Sequence, residues 1–292
     1  MKKLFLTIAV AATAIISAKA EEKSKTWSFG DITGINAGYN YEVYVSHGDS
    51  KEVEVVFDSA LEPYLKITYS RLTGNLNLNI ADLPRKMRNR ELKPVKVYLE
   101  MDRISSIGLS GAAEATFDGN FNAAELDVDL SGAADVHGLI VNGTNLDIDC
   151  SGASGLNITG NFTERIDIDL SGASDLAICG DTGDLEADLS GACNMKCEGS
   201  YRFCDIACSG SSDVVVSGKA DKLTFEGSGA STIKARNLEA RTAEVKLTGS
   251  CTAVVNASEE LHYNIARACD IIYYGDARLV NHNSDDNIRK GN

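Results

Sequence analysis

Apolar and polar residues alternate strictly along the middle of the chain. In residues 126–130, 146–150 and 166–170 every second residue is apolar, and the residues between them are aspartates. A period of two is typical of a β-strand with one buried face, because a helix repeats its apolar face every 3.6 residues. Five and seven positions after the next Ser the apolar residues return, as at Leu156 and Ile158. The pattern therefore predicts two short strands in each unit.

The unit itself repeats at a nearly constant interval. Ser-Gly pairs recur along the chain, Thr248-Gly249 continues the series, and Ala266-Arg267 resembles a degenerate last copy. A fixed period of about 20 residues indicates a solenoid. Glycine adopts a positive φ without steric penalty, so Ser-Gly-Ala predicts a corner, and aligned Ser side chains are expected to hydrogen-bond along the stack. The Ser-Gly pairs begin at Ser110, Ser131, Ser151, Ser171, Ser190, Ser209 and Ser228.

We therefore predict an all-β protein, a parallel, right-handed β-solenoid with coils of about 18–21 residues and an N-terminal β cap. The repeat is assigned to residues 105–280, with Leu130, Cys150 and Leu170 stacked on adjacent coils. Residues 21–104 are strand-rich but lack the corner motif. Within them, 41–45 and 51–57 flank a Ser-His-Gly-Asp-Ser turn and predict a hairpin. Residues 281–292 form a polar C-terminal tail.

The first twenty residues are typical of a secretory signal peptide. Lys2 and Lys3 precede an apolar stretch from Leu4 to Ile16, and Ala18-Lys19-Ala20 has the form of a cleavage site. The apolar stretch is too short for a permanent membrane span, and no second long apolar stretch occurs. We expect an exported mature protein without a transmembrane segment, located in the periplasm, at the cell surface or outside the cell.

The charge of the chain is strongly negative. Loss of Lys2, Lys3 and Lys19 with the signal peptide takes the net charge from −14 to −17. Phosphate binding requires clustered Lys and Arg, so nucleic acid is not expected as a partner. Cations, basic proteins and neutral glycans are compatible with this charge.

Three passages of the chain resemble a family of exported bacterial proteins that is abundant in Bacteroidetes. They are FGDITGINAGYNYEVYVSHGD (29–49), YLEMDRISSIGLSGAAE (98–114) and the later Ser-Gly-Ala coils. The family is that of the putative auto-transporter adhesins with a head GIN domain, and the resemblance covers nearly the whole mature chain. It implies a β-solenoid and a surface or adhesive role.

The aspartates between the apolar positions form the first group of candidate site residues. They fall into two columns, two residues apart in each coil, and like charges opposite each other destabilise a sheet. Three interpretations are open: a solvated face, a weak Ca²⁺ site, or an acid–base site acting on a glycan. Flat strands do not wrap an ion, so no metal site and no cofactor is assigned. The first acidic column is Asp127, Asp147, Asp167, Glu186 and Asp205, and the second acidic column is Asp129, Asp149, Asp169 and Asp188.

Cysteine and histidine provide little further evidence of a site. Most of the 8 cysteines replace apolar or small residues at inward positions. Export permits disulfides, and Cys251 and Cys269 occupy the same position in adjacent coils, which makes them the candidate pair. The four histidines match no metal-ligand spacing; they are His47, His137, His262 and His282.

The leading hypothesis is an exported, non-enzymatic protein of the adhesin class, or a binding scaffold of the cell envelope, with an unknown glycan or protein ligand. One alternative is a carbohydrate-active β-helix enzyme, a polysaccharide lyase or hydrolase. Against it, aromatic residues make up 7% of the chain, are sparse at outward positions, and Trp27 lies outside the repeat. Another is a structural envelope component. The basic segment 85–93 is interpreted either as a solvated loop or as a docking loop, for an acidic partner or for an acidic end of another copy of the chain.

Overall fold

The computed structural model describes residues 22–88, 92–281 and 287–292. It is a β-solenoid of about nine turns built from stacked parallel strands, which confirms the predicted fold class. The signal-peptide prediction and His282 lie outside the described residues. No helix in the described parts of the chain has the length and apolar character that a membrane span requires.

The described part of the N-terminal third is made of short strands and two short helices. They are β1 (Glu22–Ser28), β2 (Gly34–Ala37), β3 (Tyr41–His47), β4 (Glu52–Asp58), a 3₁₀ helix (Ser59–Tyr64), β5 (Leu65–Tyr69), β6 (Asn75–Ile80), α1 (Arg85–Arg88), β7 (Val95–Met101), β8 (Ser106–Leu109), β9 (Glu114–Asp118) and β10 (Asn120–Asn122).

The remaining strands form the regular coils and the C-terminal end. They are β11 (Glu125–Leu130), β12 (Asp135–Cys150), β13 (Gly155–Thr159), β14 (Phe162–Leu170), β15 (Asp175–Cys179), β16 (Thr182–Leu189), β17 (Asn194–Cys208), β18 (Asp213–Gly227), β19 (Thr232–Leu247), β20 (Thr252–Ile265), β21 (Asp270–Tyr274), β22 (Arg278–Asn281) and β23 (Ile288–Lys290).

Equivalent residues of successive coils lie directly opposite each other. Leu130 pairs with Cys150, and Cys150 pairs with Leu170, so the predicted stack of inward residues is confirmed. All three are at most 2% exposed. The apolar half of each alternating strand therefore fills the interior, and the polar half faces solvent. We call the strand before each Ser-Gly corner the first face, and the strand after it the second face.

A short connecting segment links the second face of one coil to the first face of the next. Most register shifts between regular coils lie in or beside these segments, for example between Phe162 and Arg165. The shift between Val136 and Leu139 instead lies within a second-face strand. The connecting segments thus absorb the small differences in length between one coil and the next. The first-face strands consequently stay in register along the whole stack.

The predicted hairpin of residues 41–45 and 51–57 is wrong. β3 and β4 do not pair with each other, because β7 lies between them, parallel to β3 and antiparallel to β4. The stacked rings of Tyr44 on β3 and Tyr98 on β7, with centroids 5.0 Å apart, mark this junction. The Ser-His-Gly-Asp-Ser turn therefore connects β3 and β4 on opposite sides of β7, a strand that comes later in the sequence.

Because later strands lie between earlier ones, the order of the N-terminal strands in the stack differs from their order in the sequence. β2 lies between β6 and β8, and β3 lies between β7 and β9. Antiparallel strands then cover the end of the stack: β5 pairs with β6, and β1 pairs with β4. At the other end, part of the polar tail forms β23, which pairs with β21.

Candidate functional site

An open groove of about 1130 Å³ follows the solenoid axis where the first face meets the corner. We call it the axial groove. It spans eight successive coils, which at ~4.8 Å per coil corresponds to roughly 34 Å. One wall is the second acidic column, continued by Ala207, Glu226, Lys246 and Asn264. The other wall is the serine column, namely Ser151, Ser171, Ser190, Ser209, Ser228 and Thr248.

The serine column is held in place by the main chain. The Ser151 hydroxyl donates to the carbonyl oxygen of Leu130 in the preceding coil at 3.4 Å, and Ser209 and Ser228 donate in the same way at 3.3 Å. The expected hydrogen bonds between corner Ser side chains are therefore replaced by bonds to the backbone. A hydroxyl that donates in this way uses its proton and keeps oxygen lone pairs that can accept hydrogen bonds.

The two acidic columns have the predicted register. Asp127 pairs with Asp147, Asp147 with Asp167, and the second column is aligned likewise. Only the second acidic column lines the axial groove, while the first points outward beside it. Among the described residues, no ion pair reaches any of the four aspartates of the second column, which are Asp129, Asp149, Asp169 and Asp188.

The stacking of carboxylates affects the proton affinity of the first column. Burial raises the pKa of Asp147, and the neighbouring Asp149 and Asp167 raise it further. Burial also raises the pKa of Asp205, where Glu226 adds to the effect and Lys222 opposes it. At these two positions the surroundings therefore disfavour the charged carboxylate.

Cations compensate part of the acidic surface. Arg165 contacts Asp167 and Glu186, each at 2.7 Å. Towards the C-terminal end of the groove, Lys246 contacts Glu226 at 2.8 Å and Glu244 at 3.1 Å. The groove is thus purely acidic and hydroxylic at Asp149 and Asp169, and of mixed charge at its C-terminal end.

Metal-binding geometry is not found in the described part of the chain, where no three His, Cys, Asp or Glu side chains are grouped to hold an ion. The described histidines are dispersed. His47 packs edge-on against Phe121, and His137 and His262 each contact a glutamate. Weak binding of Ca²⁺ to the acidic face stays a hypothesis.

All eight cysteines are free thiols, and seven of them are buried. Cys251 and Cys269 lie at equivalent positions of adjacent coils, as predicted. Burial raises the pKa of the Cys251 thiol, which disfavours the reactive thiolate. Their pairing as a disulfide stays a prediction.

The axial groove continues at its N-terminal end into a depression of about 360 Å³, and Asp129 lines both. We call this depression the end pocket. Its walls are amide and hydroxyl side chains together with one aromatic residue, Tyr39, whose φ is 70°. The polar and aromatic residues lining it are Asn36, Tyr39, Asn77, Asn79, Ser110, Asp129 and Ser131.

The end pocket and the groove are absent from the sequence-based hypotheses. Gly38 and Tyr39 correspond to Ser110 and Gly111, but this alignment requires knowing that β2 stacks on β8. The only local signal is a bulky residue where the corner motif elsewhere has Gly. Lys93, a described residue of the basic segment, lies near the capped end, where it contacts Glu22 at 2.7 Å.

Comparison with known proteins identifies relatives of this architecture. The sequence model of the family described as "Putative auto-transporter adhesin, head GIN domain" matches residues 31–179 and 166–277. No match was found among curated proteins.

Solved structures also resemble the chain. A putative adhesin from Parabacteroides distasonis has a TM-score of 0.50 at 20% identity, covering 93% of this chain and 95% of that one. A putative adhesin from Parabacteroides merdae has a TM-score of 0.51 at 15% identity, covering 92% and 93%. At such low identity these similarities concern the fold alone.

Proposed function

Because the chain belongs to the family of putative auto-transporter adhesins with a head GIN domain, we propose that it is an exported, non-enzymatic binding protein of the adhesin class. Its site of action is the periplasm, the cell surface or the extracellular medium. The axial groove is its binding surface. The signal-like first twenty residues and the adhesin family support the location, and the groove supports the binding role.

The observation that carries this proposal is the regularity of the groove. An aspartate of the second acidic column lies beside a hydroxyl of the serine column in three successive coils, as Asp149 with Ser151, Asp169 with Ser171 and Asp188 with Ser190, and the hydroxyls continue as far as Thr248. A linear ligand lying along the axis meets the same pair of groups in these three coils and a hydroxyl in the coils that follow. Many weak and equivalent contacts add up to substantial affinity without any single strong one. An extended polymer is therefore the ligand shape that suits this groove.

The same regularity favours binding over turnover. Glycoside cleavage uses two carboxyl groups whose different environments give them different protonation states. In the axial groove Asp149 and Asp169 have equivalent neighbours, and within the described part of the chain neither is set apart by a base, a cation or a change of backbone. Repetition of one chemistry supports a binding role for the groove.

A combined array and turnover experiment tests the proposal. The mature protein is applied to glycan and protein arrays, and polysaccharides are incubated with it and assayed for released fragments. Ser190→Trp blocks the middle of the axial groove. Thr159→Trp, at an exposed position of the second face, is the matched control.

We expect binding without fragment release, loss of the array signal in Ser190→Trp and its retention in Thr159→Trp. Release of fragments from any polymer would support the enzyme instead. Equal array signals from both variants would mean that the axial groove is not the binding surface. Cell fractionation and protease accessibility in the source bacterium test the location.

A further inference from the structure

Tyr39 occupies a corner position that glycine fills in the eight coils stacked above it. Its φ is 70°, and it lies directly below Gly111, whose absent Cβ would be 2.8 Å from the Tyr39 carbonyl oxygen. A positive φ is unfavourable for a bulky side chain. The corner residues stacked above it all have φ between 75° and 102°; they are Gly111, Gly132, Gly152, Gly172, Gly191, Gly210, Gly229 and Gly249.

Folding does not explain the choice of tyrosine at this corner. Tyr39 is 39% exposed, and the described residues offer its side chain no hydrogen bond and no aromatic contact. Its backbone carbonyl accepts a hydrogen bond from Ala112, which a glycine would do equally well. A strained residue whose partly exposed side chain makes no hydrogen bond or ring contact within the described part of the chain indicates selection for a role other than stability.

The surroundings of the Tyr39 ring are polar and only partly satisfied. Asn36 donates through its side-chain amide to the Asn77 side-chain oxygen at 3.1 Å, and the Asn79 side-chain oxygen accepts from the Ile80 amide at 2.8 Å. The side-chain NH₂ groups of Asn77 and Asn79 and the Asp129 carboxylate have no partner among the described residues. The end pocket therefore presents fixed donors and acceptors next to an exposed aromatic ring.

From this arrangement we infer that the end pocket is a carbohydrate-binding subsite in which Tyr39 stacks on a sugar ring. The apolar C–H face of a sugar packs on an aromatic face, and its hydroxyls pair with amide, hydroxyl and carboxylate groups at the edge. The net charge of −14 repels uronic acids and sulfated sugars, so the ligand is a neutral glycan. The inference rests on the proposed binding function and specifies its ligand class.

Continuity with the axial groove indicates how such a glycan lies. Asp129 belongs to both the end pocket and the groove, so a chain anchored at Tyr39 extends along the serine column without leaving the surface. Tyr39 supplies the aromatic contact that the groove itself lacks, since no described aromatic side chain lines its eight coils. The subsite thus provides a fixed starting point for a ligand otherwise held by repeated polar contacts.

The test is titration calorimetry of the mature protein with neutral hexaoses, namely xylohexaose, mannohexaose and the β-1,4 and β-1,3 glucose hexamers, with the galacturonic acid hexamer as the anionic comparison. Tyr39→Gly and Tyr39→Asn remove the ring and tolerate a positive φ. Tyr39→Phe keeps the ring. Tyr98→Ser is the matched control, because Tyr98 is equally exposed, at 40%, but lies on the second face.

We expect at least one neutral hexaose to bind, with affinity at least tenfold weaker in Tyr39→Gly and Tyr39→Asn and within twofold of the unaltered protein in Tyr39→Phe and Tyr98→Ser. The melting midpoint of Tyr39→Gly is expected to stay level or to rise, because the strain is removed. Loss of binding together with retained stability separates a ligand contact from a structural role.

Three results would overturn the subsite. They are no binding of any neutral hexaose, equal affinity in Tyr39→Gly, and preference for the galacturonic acid hexamer. If the arrays then show a protein ligand that Ser190→Trp no longer binds, the proposed function stands and only the sugar subsite fails. If neither arrays nor hexaoses show binding, both fail together.

Discussion

Gly172 lies directly above Gly152 in the column of corner glycines. A Cβ at Gly172 would lie 3.0 Å from the amide nitrogen of Gly152 and closer still to its carbonyl oxygen, and the φ of Gly172 is 76°. Gly172→Val is therefore expected to lower the free energy of unfolding by about 1–3 kcal/mol, because backbone strain adds to the clash. Urea denaturation followed by circular dichroism measures the difference.

Gly155→Ala is the control for that substitution. A Cβ there meets only the movable side-chain carboxylate of Asp135, and Gly155 has no positive φ. A small change in Gly155→Ala beside a large one in Gly172→Val assigns the effect to the corner. Equal changes would mean that the corner geometry is not the cause.

Two carboxyl groups of the first acidic column are expected to respond oppositely to neutralisation. The folded-state pKa of Asp147 is raised by burial and by neighbouring aspartates, so its charge opposes folding at neutral pH. Glu244, aligned with the same column, has a lowered pKa because Lys222 and Lys246 hydrogen-bond to it. At pH 7, Asp147→Asn is expected to stabilise and Glu244→Gln to destabilise, each by no more than about 1 kcal/mol at these solvated sites.

The pH dependence distinguishes the two substitutions further. The penalty from Asp147 is full above its raised pKa and disappears as the pH falls through that value to its usual 3.8, so the gain in Asp147→Asn is lost in acid. The contribution of Glu244 is present above its usual 4.5 and lost as the pH falls below it. Melting curves from pH 3 to 8 measure both. A gain from Asp147→Asn that persists in acid would contradict the electrostatic explanation.

Calcium is expected to stabilise the protein no more than magnesium at equal ionic strength. A solvated acidic face responds to screening, which does not depend on the identity of the divalent cation. A specific site would instead raise the melting midpoint with Ca²⁺ concentration. Thermal scans with both ions test this, and Asp149→Asn with Asp169→Asn is the control. A rise specific to Ca²⁺ that the double variant abolishes would establish a cation site.

Cys251 and Cys269 are expected to form a disulfide by exchange with oxidised glutathione, which accepts the two electrons and is reduced to two thiols. Their adjacency in neighbouring coils favours the bond, while burial and the raised pKa of Cys251 make its formation slow. Peptide mass spectrometry with and without reductant detects the link. Cys251→Ser is the control. Linkage of Cys269 to another cysteine in the unaltered protein would reject this pair.

The regular coils could be predicted from sequence because their information is local. The alternation in 126–130 and 146–150 specifies strands with one buried face, and the fixed period specifies which residues stack, so that Leu130, Cys150 and Leu170 were predicted to stack. Gly152 and Gly172 follow from the same repeat, since a repeated corner needs one backbone conformation. Each inference uses residues of one coil and its neighbour.

The cap and the end pocket could not be predicted because they depend on pairing between distant segments. β3 and β4 each have a strand-like pattern, but no local feature indicates that β7 separates them. The position of Tyr39 in the glycine column follows only from the stacking of β2 on β8. Which strands pair there depends on how the whole end of the stack packs, and no short segment of sequence specifies it.

Most register shifts between regular coils lie at the connecting segments, and this bears on how such a chain changes length during evolution. A deletion of residues 151–170 removes one coil between equivalent points, so Cys150 is followed by Ser171 and the columns re-form. A duplicated coil that is slightly shorter or longer is equally compatible, because the connecting segment takes up the difference. The axial groove is thus lengthened or shortened in whole steps by a single genetic event, with the chemistry of each remaining coil unchanged.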